Sequence, residues 1–464
     1  MMQATLEKGA YTASDMAETL IGSEIIKLAG EVNEQIKKGI KIFNLTIGDY
    51  DPAIFPIPDS LKKEIIKAYQ DGYTNYPVAN GQPELRSAVA GYINKLQKLQ
   101  YSSNEILISG GARPLIYALY KTVVNPGEKV VFPIPSWNNN HYCHLAKAEA
   151  VAVETQPNNN FMPLASELKS HLSSAALVAL CSPLNPTGTV FSSAQLMEIC
   201  ELILQENKRR EGKKPLYLMY DQIYMALTFG KTKHVDPVSL LPEMRPYTIY
   251  IDGLSKAFSA TGLRVGWAFG PAGIIDKMKS ILSHVGAWSP KAEQVATAHF
   301  LTQEKEVDVF FSHYKAEVEK RLSAFYDGFL KMKKDGLPVN AIDPQAAIYL
   351  TVQFDILNKV TPDGKRINNS NDITSFLINY ATVALVPFSA FGAETTSNWF
   401  RLSIGTARME DIEQMFFSLR KALALLGDWF ISDPVLHQTV NKNRTDDNDC
   451  ANVETVIEQF IFFK

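Results

Sequence analysis

The chain has 464 residues, of which 46% are apolar and 20% charged, and a net charge of −3. That length is too great for one simple core and predicts two or three domains, with an interior typical of a globular protein. The small net charge argues against nucleic acid or a strongly anionic membrane as the main partner. Four scattered cysteines, Cys143, Cys181, Cys200 and Cys450, form no C-x-x-C pair. Neither a disulfide framework nor a zinc site is expected, and a reducing compartment is. Glu7 and Asp15 interrupt the N-terminal region, so no signal peptide is expected. No apolar run is long enough to span a bilayer, and a cytoplasmic protein is the expectation.

Ile25, Leu28, Val32 and Ile36 recur at helical spacing and predict an amphipathic helix over 17–39, stopped by Gly39. Ile42–Ile47 reads as a strand, broken by Gly48 and the proline-rich 52–58. From about 60 to 330, helices are predicted at 61–71, 83–99, 112–122, 192–208 and 271–284. They alternate with the apolar runs Ile106–Ser109, Lys129–Phe132, Ala148–Val153, Ala176–Cys181, Leu216–Tyr220, Thr248–Ile251 and Val265–Phe269. This alternation predicts an α/β fold with a mainly parallel sheet covered by helices on both faces. Residues 304–335 read as a long helix with a solvated, charged face that connects to a second unit. Residues 347–353, 372–380, 383–386, 399–404 and 410–426 then read as strand, helix, strand, strand and helix, a smaller α+β domain completed by the N-terminal helix and strand. The expected division is an arm and part of the small domain in 1–55, a large domain in 56–330, a small C-terminal domain in 331–428 and an extension in 429–464. The extension ends in an apolar, helix-like 453–463.

Four motifs fall at predicted strand ends, where open α/β sheets place their ligands. Ser109-Gly110-Gly111-Ala112-Arg113-Pro114 joins a strand to a helix, and its glycines let backbone N–H groups approach an anion at the helix start. An ordinary strand–helix turn is the competing explanation. Cys181-Ser-Pro-Leu-Asn185-Pro-Thr-Gly188 is stiffened by two prolines and presents the Asn185 amide. Tyr220-Asp221-Gln-Ile-Tyr224 puts a carboxylate at the inner rim of the sheet, where it needs a cation such as a protonated heterocyclic nitrogen, unless it only caps a local turn. Ser255-Lys256 is followed by Gly262-Leu-Arg264-Val-Gly266. An amine fixed in a tight turn suits a Schiff base to an aldehyde, and Ser255 with Arg264 suits a phosphate on the same cofactor, the alternative being a solvated surface lysine.

Asn185-Pro-Thr-Gly188, Asp221-x-x-Tyr224, Ser255-Lys256 with Gly262-x-Arg264-x-Gly266, and Phe400-Arg401-Leu-Ser-Ile resemble the signature of class I/II pyridoxal-phosphate aminotransferases over roughly residues 20–425. The resemblance implies the aspartate-aminotransferase (type I) fold and pyridoxal 5′-phosphate held as a Schiff base on Lys256, which then serves as the proton-transfer base. It implies that Asp221 pairs with the ring nitrogen and that Tyr224 and Asn185 bond the ring's phenolic oxygen. It gives the phosphate to Ser255, Arg264 and the N–H groups of Gly111 and Ala112, and the ring face to Trp137. Arg401 would take the substrate carboxylate, with Gly48 closing on it, and Tyr76 would reach the phosphate of a neighbouring subunit in a homodimer with shared sites.

The substrates implied are an L-amino acid and a 2-oxo acid in a ping-pong reaction, aspartate and 2-oxoglutarate being one pair. Two features depart from aspartate-using relatives. Ala112 stands where they often carry a polar side chain, with Arg113 next to it, and no arginine precedes Ala287-Trp288-Ser289-Pro290. Trp288 and Tyr349 could instead line a pocket for an aromatic amino acid. A β-elimination or decarboxylation lyase on the same cofactor is the alternative outcome. A transcription regulator would need a basic N-terminal DNA-binding module, which the first 20 or so residues do not resemble. His141 and His144 lie three apart without a carboxylate or cysteine set, so no metal is expected, and Asn138–Asn140 reads as a loop.

Overall fold

In a computed structural model, residues 13–20, 22 and 24–426 are described. Cys450 and the predicted extension 429–464 lie outside them. In chain order the strands are β1 Phe43–Asn44, β2 Ile106–Ser109, β3 Lys129–Ile134, β4 Glu149–Glu154, β5 Ala175–Cys181, β6 Tyr217–Asp221, β7 Thr248–Gly253, β8 Gly266–Phe269, β9 Val339–Ala341, β10 Tyr349–Phe354, β11 Val383–Ala384, β12 Val386–Pro387 and β13 Trp399–Ser403.

Seven of these form one sheet, in the order β2-β8-β7-β6-β5-β3-β4. Strands β4, β3, β5, β6 and β7 run parallel, and β8 is antiparallel to both β7 and β2. The reversal has a local cause. A parallel neighbour needs a long crossover, usually a full helix, whereas β7 and β8 are joined only by the single-turn helix Leu254–Ala257 and a 3₁₀ turn at Thr261–Leu263. The loop that carries Lys256 is therefore a tight return on the sheet's own edge.

Side chains alternate between two apolar layers, as strand pleating requires. Along β6, Leu218 and Tyr220 join the layer of Ile199, Phe258 and Trp267, while Met219 joins that of Leu115, Leu119 and Met278. Both faces are buried, which is why the strand sequences read as continuous apolar runs. The predicted helices of this region form at Asp59–Gln70, Pro83–Gln97, Ala112–Val123, Ser193–Arg209 and Ala272–Val285.

A second, antiparallel sheet has the order β12-β13-β10-β9, and β1 pairs in parallel with β11, Phe43 opposite Val383. The N-terminal segment is thus joined to the C-terminal part by backbone pairing. The helix predicted over 17–39 forms as Asp15–Glu18 and Glu24–Lys37, and the strand predicted over 42–47 shortens to two residues.

Two local expectations need correction, and one helix carries no readable amphipathic signal. The helix Glu304–Lys334 is not mainly a solvated connection, since Tyr314, Val318, Leu322, Phe325, Phe329 and Met332 bury a continuous stripe in the second core. Asn139 begins the helix Asn139–Ala146 rather than lying in a loop. It is buried, accepting from Tyr120 Oη at 2.9 Å and donating to Ser136 Oγ at 3.1 Å. The helix Lys291–Thr302 went unpredicted because Ala292, Gln294, Ala296, Thr297, Ala298, Phe300 and Leu301 are buried around most of it, leaving no amphipathic stripe to read. No helix among the described residues is long and apolar enough to cross a membrane.

Candidate active site

A cavity of about 530 Å³ opens at the C-terminal ends of β5, β6 and β7. Its volume is within the usual range for small-molecule sites, about 300–1,000 Å³. Ala112, Trp137, Asn185, Asp221, Tyr224, Ser255, Lys256, Arg264, Gly48 and Arg401 all line it. Their positions span residues 48 to 401, so only the folded chain brings them together.

At one end is an anion cradle. Gly111, at φ +98°, precedes the helix Ala112–Val123, whose first N–H groups lack intrahelical partners. Arg264 is held beside it by bonds from Nη1 to Thr261 O (2.7 Å) and from Nη2 to Gly110 O (2.9 Å). A Cβ on Gly111 would fall 2.2 Å from Arg264 Nη2, and one on Gly266 would fall 2.4 Å from the Gly111 carbonyl carbon. Bare backbone at both positions lets helix start, arginine and strand edge converge. Ser255 is on the wall nearby.

Asp221 is the last residue of β6 and sits opposite Cys181 of β5. Its Oδ1 accepts from the Ile223 N–H at 3.1 Å, so the local turn does form, while the residue also faces the cavity. Burial pushes its carboxyl up to about 6, against the pull of the Ile223 N–H. A protonated nitrogen at this rim would restore the charged form. Trp137 supplies an aromatic wall, and the Arg113 guanidinium lies 4.5 Å from its ring centroid.

Lys256 Nζ reaches across the cavity and donates to Gly48 O at 2.5 Å. Burial pushes the amine down to about 8; Asp49 opposes this, while Arg401, Arg113 and Arg264 reinforce it. Asp49, missed by sequence reasoning although it adjoins Gly48, is itself fixed by the Thr261 hydroxyl at 2.6 Å.

Arg401 on β13 is only 2% exposed. Its Nη1 donates to Asn185 Oδ1 at 3.0 Å and its Nη2 to Thr46 O at 2.7 Å, and its Nε is buried without a partner among the described residues. The guanidinium lies 4.6 Å from the Tyr349 ring and 4.9 Å from the Phe391 ring. Asn185 thus meets the arginine directly, a contact the sequence did not indicate. The Tyr224 hydroxyl lies 2.6 Å from that of Tyr349, which also lines the cavity.

Tyr76, expected at the phosphate of a neighbouring subunit, and Trp288 stand apart from this cavity. Tyr76 is 82% exposed and packs edge-on against Trp288, their ring centroids 5.5 Å apart. Neither lines the cavity of its own chain, so Trp288 is not part of an aromatic-accepting wall there. His144 Nε2 lies 2.9 Å from Met16 O and 3.4 Å from Thr19 Oγ1.

An anion cradle, an aromatic wall, a rim carboxylate and a buried amine fit a phosphorylated pyridine aldehyde, with a separate buried arginine left for a carboxylate. Consistent with that fit, the chain belongs to the family of class I and II aminotransferases, which it matches over residues 40–416. It is 27% identical over 412 residues to an aspartate aminotransferase of Rhizobium meliloti (strain 1021), covering 88% of this chain and 96% of the relative. It is 31% identical to an aspartate aminotransferase of Pinus pinaster, covering 83% and 77% respectively. The crystal structure of the Rhizobium meliloti aspartate aminotransferase superposes with a TM-score of 0.82 at 25% identity, covering 90% of this chain and all of that one. The protein is an aminotransferase dependent on pyridoxal phosphate, with the aspartate-aminotransferase-like fold.

Proposed function

We propose that this aminotransferase moves the amino group of a dicarboxylic amino acid such as aspartate to a 2-oxo acid such as 2-oxoglutarate, by a ping-pong mechanism. The observation that carries the substrate class is a second guanidinium on the same cavity. Arg264 belongs to the anion cradle, which leaves Arg401 as one and Arg113, held against the Trp137 ring, as the other. Two planar cationic forks suit a substrate with two carboxylates. The names of the Rhizobium and Pinus relatives agree with this reading.

When bound, pyridoxal phosphate supplies an aldehyde for the amine and a ring that draws electrons from the substrate Cα. The residues divide the remaining work. Ser255, Arg264 and the N–H groups of Gly111 and Ala112 hold the phosphate, and Trp137 covers the ring face. Asp221 keeps a proton on the ring nitrogen, at about 1.4 kcal/mol for each pKa unit of that preference. Asn185 and Tyr224 orient the ring's phenolic oxygen. Arg401 holds the α-carboxylate, and the Gly48 backbone closes over it. Lys256, with its amine near 8, takes the proton from Cα and returns one, a task suited to a base whose pKa is close to the working pH.

The test is a half-reaction screen with single amino acids, following the cofactor absorbance as the amino group is transferred. Aspartate and glutamate should convert fastest. Arg113→Gln should cost them about 10–100-fold while leaving alanine unchanged, the worth of one charged hydrogen-bonded contact. An equal effect on alanine would remove the dicarboxylate assignment. Ammonia release without conversion would favour a lyase.

Tyr76 is proposed to act across a homodimer. Its exposure, together with that of Tyr73, Val78 and Val285, suits a surface covered by a second copy. Sedimentation of the holoenzyme at micromolar concentration should give a dimer, and a stable active monomer would end this proposal.

A further inference from the structure

Lys256 belongs to a helix of a single turn, Leu254–Ala257, so its carbonyl is one of those that no later turn satisfies. Two hydroxyls satisfy it instead. Tyr50 Oη donates to Lys256 O at 3.1 Å and Tyr314 Oη at 3.0 Å, filling both lone pairs. Both tyrosines are buried, and with Phe55 they form a triangle of rings whose centroids lie 5.6, 5.8 and 5.8 Å apart. The Arg321 guanidinium lies 4.8 Å from the Phe55 ring. Burial keeps both phenols protonated, and so donors, well beyond neutral pH.

The two donors come from distant parts of the chain. Tyr314 is on the long helix Glu304–Lys334. Tyr50 lies two residues after Gly48, whose carbonyl holds the Lys256 amine. The same segment is tied to β13 and the turn after it. Arg401 Nη2 donates to Thr46 O at 2.7 Å, Ser403 Oγ to Ile47 O at 2.6 Å, and Asp51 N to Gly405 O at 2.9 Å.

We propose that Tyr50 and Tyr314 are positioning residues that clamp the Lys256 backbone, so that the amine is presented to the cofactor aldehyde at a fixed point and only the side chain moves. This rests on Lys256 being the reacting amine. The step it serves is balanced: the amine adds to the aldehyde carbon, a C=N bond replaces C=O, and water leaves with the aldehyde oxygen and the two amine protons. A displaced backbone would carry the amine away from an aldehyde whose phosphate is anchored separately at Arg264 and Gly111. A misplacement of about 1 Å is enough to cost about 100-fold in such a step.

The experiment uses cofactor-free protein at pH 8.5 and two probes. The first is pyridoxal 5′-phosphate, with Schiff-base formation followed by stopped-flow absorbance. The second is pyridoxine 5′-phosphate, which has an alcohol in place of the aldehyde and reports binding alone. Tyr50→Phe/Tyr314→Phe keeps both rings and removes both donors. It should slow Schiff-base formation about tenfold, with unchanged affinity for the alcohol, and lower kcat with little change in the amino-acid KM. Each single variant should show a smaller loss, about threefold, and serves if the double variant does not fold. Capture at the wild-type rate would overturn the proposal. So would equal losses in capture and alcohol binding, the signature of a merely structural role. The alcohol probe needs no reacting amine, so failure of the clamp is distinguishable from failure of the Lys256 assignment, which Lys256→Ala tests separately.

Discussion

Lys256→Ala should reduce steady-state transamination by at least about 10⁴-fold while leaving the protein folded. Two contributions are lost together. The nucleophile that holds the cofactor disappears, and so does the base that shuttles the Cα proton, a step for which one positioned group contributes about 10²–10⁴-fold. The other lining groups offer no substitute in the same place. Arginine does not lose its proton at working pH, and Asp221 is assigned to the ring nitrogen. The substitution is structurally mild, because among the described residues Lys256 makes one side-chain hydrogen bond, to Gly48 O, and the two tyrosine contacts to its carbonyl are untouched. The measurement is kcat for the purified variant, together with the single-turnover spectral change on adding the amino acid. Full retained activity would refute the assignment.

Arg401→Lys should lower kcat/KM for the amino acid by about 10²–10³-fold, mostly through KM. A charged hydrogen bond contributes about 1.5–3 kcal/mol. A lysine can neither present two parallel N–H groups to a carboxylate nor also keep the donations to Asn185 Oδ1 and Thr46 O. The shorter reach of an ammonium in this 2%-exposed position also leaves the Tyr349 and Phe391 rings without the plate that packs on them. Cofactor binding, at the other end of the cavity, should be unchanged. The check is the half-reaction rate as a function of amino-acid concentration, alongside the cofactor spectrum. If both constants match the wild type, another residue holds the carboxylate.

The site was legible in the sequence wherever its chemistry is written locally. Asp221 follows a buried run and Lys256 sits between strand and turn, so each could be placed at a strand end from its neighbours alone. Gly111 could be read the same way, because a strand–glycine–helix junction has a composition of its own. What was not legible depends on pairs far apart in the chain. Asn185 was expected at the ring oxygen, but that its carbonyl oxygen also accepts from Arg401, 216 residues away, was not. Asp49 reaches the cavity without any spacing that marks it, and Tyr50 and Tyr314 meet at Lys256 O although 264 positions separate them.

The sequence by itself therefore determined the alternating α/β layout, the order of the motifs and the class of cofactor, because pleat, helical period and turn chemistry are short-range. The tertiary structure decided the direction of β8, whose short loop forbids a parallel crossover. It also decided the burial of one stripe of Glu304–Lys334 and the bond network from β13 through residues 46–50 to Lys256. The bond network leaves no local trace, since it is fixed by hydrogen bonding between segments whose separation in sequence carries no information about their distance in space.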